Sequence, residues 1–121
     1  MKSRLLVIAS SSEVATGIVL LVYPPIVIKL LFGAEIIGAG LVLSRIAGIA
    51  LIGLGVACWP PAGASRAILG LLSYSALAML YLWYLGIAGN FAGILLWPAV
   101  VVHAVLTGLL VWAWFKPQEN E

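Results

Sequence analysis

The chain has 121 residues, 64% of them hydrophobic and 8% charged, with a formal net charge of +2. A soluble domain carries about 25% charged residues, so at a mean hydropathy of +1.22 too little polar surface exists to coat a globule in water. The length predicts one domain without a soluble module, the six basic residues are too scattered for a nucleic-acid patch, and the single Cys58 excludes an internal disulfide or a multi-cysteine metal cluster.

A membrane span needs roughly 20 apolar residues, and four stretches qualify: about Leu5 to Tyr23, Ile36 to Trp59, Ala67 to Gly86, and Phe91 to Phe115. Met1-Lys2-Ser3-Arg4 has the charge of a signal-peptide opening, but the apolar run before Ser10 is only Leu5 to Ala9. That is short for such a leader, and an uncleaved first span is expected. Pro24-Pro25 stops this span, because proline cannot continue a helical hydrogen-bond ladder. "PPIVIKLLFGAE" (24–35) is too short to cross and predicts a short helix lying at the interface, with Lys29 reaching the headgroups. The second span includes "LVLSRIAGIALIGLG" (41–55), whose one charge is Arg45, and stops at Trp59-Pro60-Pro61-Ala62-Gly63. Ser65 is placed to cap the third span and Asn90 the fourth. Pro98 leaves the Ile94 carbonyl without its helical donor and predicts a kink.

The fold expected is therefore all-α and integral to the membrane: residues 1–121 as one domain, an antiparallel four-helix bundle with short loops and an interfacial helix after the first span. Basic residues resist translocation. With a cytoplasmic N-terminus, Lys2, Arg4, Arg66 and Lys116 lie inside and only Lys29 outside, so both termini are expected in the cytoplasm. Tyr23, Tyr81, Trp83, Tyr84 and Phe91 then fall at the outer boundary, and Trp59, Trp112, Trp114 and Phe115 at the inner one.

Three ionisable side chains lie deep in spans: Glu13, Arg45 and His103. At the helical rise of ~1.5 Å per residue, Glu13 and Tyr74 sit about 12 Å from the inner helix ends, His103 about 18 Å and Arg45 about 21 Å. Ser44, Ser73 and Ser75 lie beside them. Ser10, Glu13 and Gly17 share one face of the first span; Gly40, Ser44 and Gly48 share one of the second, in the small-xxx-small pattern that lets helices approach closely. Tyr74 and Tyr81 share a face of the third span, His103 and Thr107 one of the fourth. Polar groups at this depth either face inward merely because lipid excludes them, or line a binding pocket or proton path. Glu13, Arg45, Tyr74, His103 and Ser44 form the candidate site. A buried carboxylate and guanidinium each lose hydration that only mutual contact offsets, so Glu13 is the expected partner of Arg45, with Glu35 at the outer rim as the alternative.

No cofactor or metal is expected. Met79 matches His103 in depth as a second axial haem ligand, but a methionine in a span is usually packing. One histidine and one distant cysteine do not make a zinc site. Serine-protease, rhomboid-like and phosphate-loop spacings are absent from the sequence.

Pro25 with "LLFG" (30–33), "SRIAGIALIGLGVACW" (44–59), "LGIAGNFAG" (85–93) and "LLWPAVVVHA" (95–104) resemble segments of small bacterial inner-membrane proteins of the broad DoxX-like, four-helix type. The resemblance covers nearly the whole chain and implies a four-helix bundle in the bacterial inner membrane. Some DoxX-like proteins are subunits of quinone-linked oxidoreductases; this chain lacks the cysteine pair or redox motif that would transfer that role. The expected function is a small non-enzymatic membrane protein whose polar site binds an amphipathic ligand or conducts a proton or solute. The alternatives are an accessory or structural subunit of a larger membrane complex and, ranked lower, a component of a quinone-linked oxidoreductase. Expected partners are membrane lipid, a small amphipathic ligand or quinone, and either a second copy or a larger complex.

Overall fold

The computed structural model describes residues 2–60 and 63–117. It is all-helical over that range: α1 (Lys2–Val22), α2 (Pro24–Phe32), α3 (Ala39–Ala57), α4 (Ala64–Ala88) and α5 (Leu96–Phe115). Four of these, α1, α3, α4 and α5, are long and apolar enough to cross a membrane. α2 is the short helix expected after the first span. Pro24 and Pro25 occupy its first turn, where the missing N–H has no helical partner to lose, so the pair ends α1 and starts α2 at once. Gly33 and Gly89 close α2 and α4 in the left-handed conformation, which glycine adopts without a Cβ clash.

Helix starts differ from the expectation. α4 begins at Ala64 with Gly63 as its cap, and no side chain caps it, so Ser65 lies inside the first turn. α5 begins at Leu96, with Leu95 in place of Asn90 at the cap. Residues 89–95 are needed elsewhere: the N–H groups of Gly93 and Leu95 donate to the carbonyls of Leu31 and Leu30, both at 2.8 Å. Those are carbonyls at the end of α2 that its own ladder cannot satisfy. The approach is so close that a Cβ on Gly93 would collide with the Leu30 carbonyl. Pro98 therefore falls in the first turn of α5, and the Ile94 carbonyl lies outside the helix, so the expected mid-helix kink does not arise. Pro61 and Ala62 of the second stop signal lie outside the described residues; α3 itself ends at Ala57 with Cys58 as its cap.

The helices pack as two pairs, α1 with α3 and α4 with α5, joined by a thinner seam. In the first pair a Cβ on Gly17 or Gly48 would lie 2.6 Å from the other's carbonyl oxygen, and one on Gly55 would lie 2.6 Å from that of Ser10. Numbers fall along α1 as they rise along α3, so these two helices run in opposite directions. In the second pair Gly86 meets Trp97, and Ser75 meets His103. One end of the seam holds an apolar core of Leu6, Ala9, Cys58, Ala67, Ile68, Leu71, Leu110 and Ala113. The Lys2 ammonium donates to the Lys116 carbonyl at 2.7 Å, so both described termini lie at that end. The far end is closed by α2 and residues 93–95.

Candidate functional site

Between these two ends lies a polar layer. Glu13 comes from the inward face of α1, the face that also carries Leu6, Ala9, Ser10, Gly17 and Leu20. Glu13 is 5% exposed, and Tyr74 of α4 is its polar neighbour across the seam. The Tyr74 ring meets the His103 ring of α5 edge-on, centroids 5.8 Å apart at 75°. Three helices thus contribute a carboxyl, a phenol and an imidazole in sequence.

His103 is held from behind. The Ser75 hydroxyl donates to the His103 carbonyl at 3.1 Å and lies 3.3 Å from Nδ1. One arrangement satisfies both contacts: the hydroxyl hydrogen goes to the carbonyl, and Nδ1–H donates to the hydroxyl oxygen. In a neutral ring this makes Nδ1 the protonated nitrogen and leaves Nε2 as an acceptor. Thr107 donates to the same His103 carbonyl at 2.7 Å, one helical turn on. Ser75 is 1% exposed and belongs to the site on this geometry. Sequence position alone placed it only nearby, because a serine carries no charge to mark its importance.

Ser10, one turn before Glu13, is fully buried, and its hydroxyl has no hydrogen-bond partner among the described residues. Ser11, Ser12 and Ser73, by contrast, each donate to a carbonyl of their own helix. A buried hydroxyl left unpaired costs about 1–3 kcal/mol. Ser10 therefore adds an unsatisfied group to the same face as Glu13.

The expected Glu13–Arg45 pair is not formed. Arg45 is exposed on the flank of α3, between exposed Val42, Leu43, Ile46 and Ile49. Among the described residues the one ion pair within 4.0 Å joins Lys29 to Glu35 at 2.6 Å. The cause is the glycine contact between α1 and α3. Gly48 and Ser44 turn the small face of α3 onto α1, leaving no space for a guanidinium, and Arg45 is one residue, about 100° of helix rotation, further round. Glu35, the alternative partner, is engaged by Lys29. Ser44 is buried at 8% on the packed face and enters none of the side-chain hydrogen bonds among the described residues. The site residues brought together are therefore Glu13, Tyr74 and His103, with Ser75 and Ser10; Arg45 and Ser44 stand apart.

No group of three or more histidine, cysteine or acidic side chains is placed to hold a metal among the described residues. Comparison with protein-family models, curated proteins and solved structures gave no match.

Proposed function

We propose that the chain is a multi-pass protein of the bacterial inner membrane, an antiparallel four-helix bundle with both termini cytoplasmic, and that its polar layer takes up and releases a proton on Glu13. The observation that carries this reading is a carboxyl only 5% exposed, without a cation against it among the described residues and facing a tyrosine that adjoins a histidine. A carboxylate in that setting is expensive to ionise and cheap to protonate. Tyr74 and His103, whose rings meet edge-on, set two further proton-carrying groups between α1 and α5. The small non-enzymatic function this supports is binding an amphipathic ligand through a hydrogen-bonding head, or moving a proton or solute. The orientation is supported by Lys2, Arg4, Arg66 and Lys116 at one end against Lys29 at the other. The DoxX-like resemblance contributes the four-span topology to this reading and no activity.

The test is a rate. Liposomes holding the protein and a pH-sensitive dye should dissipate an imposed pH gradient faster with the parent than with Glu13→Gln, and Tyr74→Phe should fall between. Equal rates for all three would remove proton movement from the function. A second reading, an accessory subunit of a larger membrane complex, is favoured by exposed Arg45. Purification in mild detergent with a stoichiometric second protein would establish it.

A further inference from the structure

Arg45 is the one basic side chain inside a predicted span. It is exposed on α3 amid exposed Val42, Leu43, Ile46 and Ile49, and enters no ion pair or side-chain hydrogen bond among the described residues. A guanidinium facing hydrocarbon without an anion is too costly to persist. Arg45 lies six residues after Ala39, the first residue of α3, or about 9 Å from that end of the helix. Helical side chains lean toward the N-terminus of their helix, and long basic side chains extend to bring their charge to the interface. Arg45 is therefore aimed at the end of the bundle that carries α2, the Gly33 turn and the Lys29–Glu35 pair.

The occupant must be an anion at that level and beside α3. Another copy of this chain is a poor source. Of its described carboxylates, Glu13 is buried within the bundle and Glu35 is bound to Lys29. A bilayer, by contrast, supplies a phosphodiester at the headgroup level everywhere around the protein. The planar guanidinium matches it with two parallel hydrogen bonds.

We infer that Arg45 and the apolar flank of Val42, Leu43, Ile46 and Ile49 form a phospholipid site: the guanidinium grips the lipid phosphate and the flank holds an acyl chain. The site depends on membrane insertion but not on the role of Glu13.

Native mass spectrometry of protein in phosphate-free detergent, with phosphatidylglycerol or a phosphate-free galactolipid added back, tests it. The parent should retain one phosphatidylglycerol and at least tenfold less galactolipid. Arg45→Gln should lose the retained phospholipid at least tenfold. Arg45→Lys, which keeps the charge but not the fork, should fall between. Equal retention of both lipids by the parent, which needs no variant, would overturn the phosphate site, as would unchanged retention by Arg45→Gln. A parent dimer that Arg45→Gln dissolves would assign Arg45 to a protein contact instead. Loss of the dye-reported proton rate in Glu13→Gln, with lipid retention intact, leaves this site standing.

Discussion

The two helix pairs are built on opposite principles. Between α1 and α3 the contact is backbone on backbone: Gly17 and Gly48 face each other, Gly55 faces Ser10, and no polar side chain bridges the two helices among the described residues. Between α4 and α5 side chains fill the contact: the Trp97 ring lies over Gly86, the Ser75 hydroxyl reaches His103, and the Tyr74 ring meets the His103 ring. In the bilayer proposed above, lipid is as apolar as leucine, so neither pair would gain from hydrophobic exclusion as it would in water; packing and hydrogen bonding would decide. The glycine pair gains by close packing and has no room for chemistry. The side-chain pair keeps helices far enough apart to seat a histidine. The division explains why the polar layer belongs to α4, α5 and the inward face of α1, and why the charge on α3 ends up outside.

The largest effect should come from forcing the glycine pair apart. Gly48→Leu places its side chain against the Gly17 carbonyl and the backbone of Leu20 and Leu21, neither of which can give way. Overpacking typically costs about 1–3 kcal/mol, occasionally more, so thermal unfolding in detergent should show the bundle strongly destabilised. An unchanged Tm would mean that α3 does not pack on α1.

Next in size is the seam. Tyr74→Phe removes a polar neighbour of the buried Glu13 carboxyl and should cost about 0.5–1.5 kcal/mol. Together with Glu13→Gln it should be non-additive by about 0.5–3 kcal/mol, since the two groups are neighbours across the seam. The same cycle between Glu13→Gln and Arg45→Met should be additive within about 0.5 kcal/mol. Strong coupling there would return Arg45 to the interior.

Open glycines sharpen the contrast by a gain. A Cβ on Gly53 of α3 or Gly108 of α5 meets nothing within 4 Å. Alanine there should stabilise by up to about 1 kcal/mol through helix propensity, whereas Gly48→Ala should destabilise. A loss at Gly53 or Gly108 would reveal a neighbour against those faces.

The smallest effect belongs to the exposed Lys29–Glu35 pair. The Lys29 ammonium beside Glu35 lowers its carboxyl below the usual range, and Glu35 raises the Lys29 ammonium. The carboxyl contribution is present above the unfolded carboxylate range and is lost as pH falls through the lowered value. The ammonium contribution is lost only as pH rises through the raised lysine value. Glu35→Gln should therefore lower Tm slightly at neutral pH and not at all in acid, with salt shrinking the difference. A difference that grew in acid would contradict the pairing.

Spans were legible in the sequence because hydropathy over a 20-residue run needs no knowledge of neighbours. So was the packed face of α1, since Ser10, Glu13 and Gly17 share one stripe. The start of α5 was not. Asn90 has the chemistry of a cap, but residues 89–95 answer a demand from α2, about sixty positions earlier, that no local pattern records. Arg45 was misplaced for a related reason. Charge shows that a residue needs a partner, whereas its facing is set by which stripe of its own helix the neighbour occupies. Gly40, at the head of the expected small-residue stripe, meets only Ile36; the stripe that packs runs on from Ser44 through Gly48 to Gly55.

The strap formed by Gly93 and Leu95 on α2 has a consequence for biosynthesis. The carbonyls of Leu30 and Leu31 leave the ribosome long before their donors do, by several seconds at about 5–20 residues per second. Until the α4–α5 connection arrives, the end of α2 must find substitutes in water. Arrival of the last hairpin therefore does more than add two helices: it closes the first half, and a nascent chain stalled before Gly93 presents an open α2 end, which under the proposed topology faces the membrane surface.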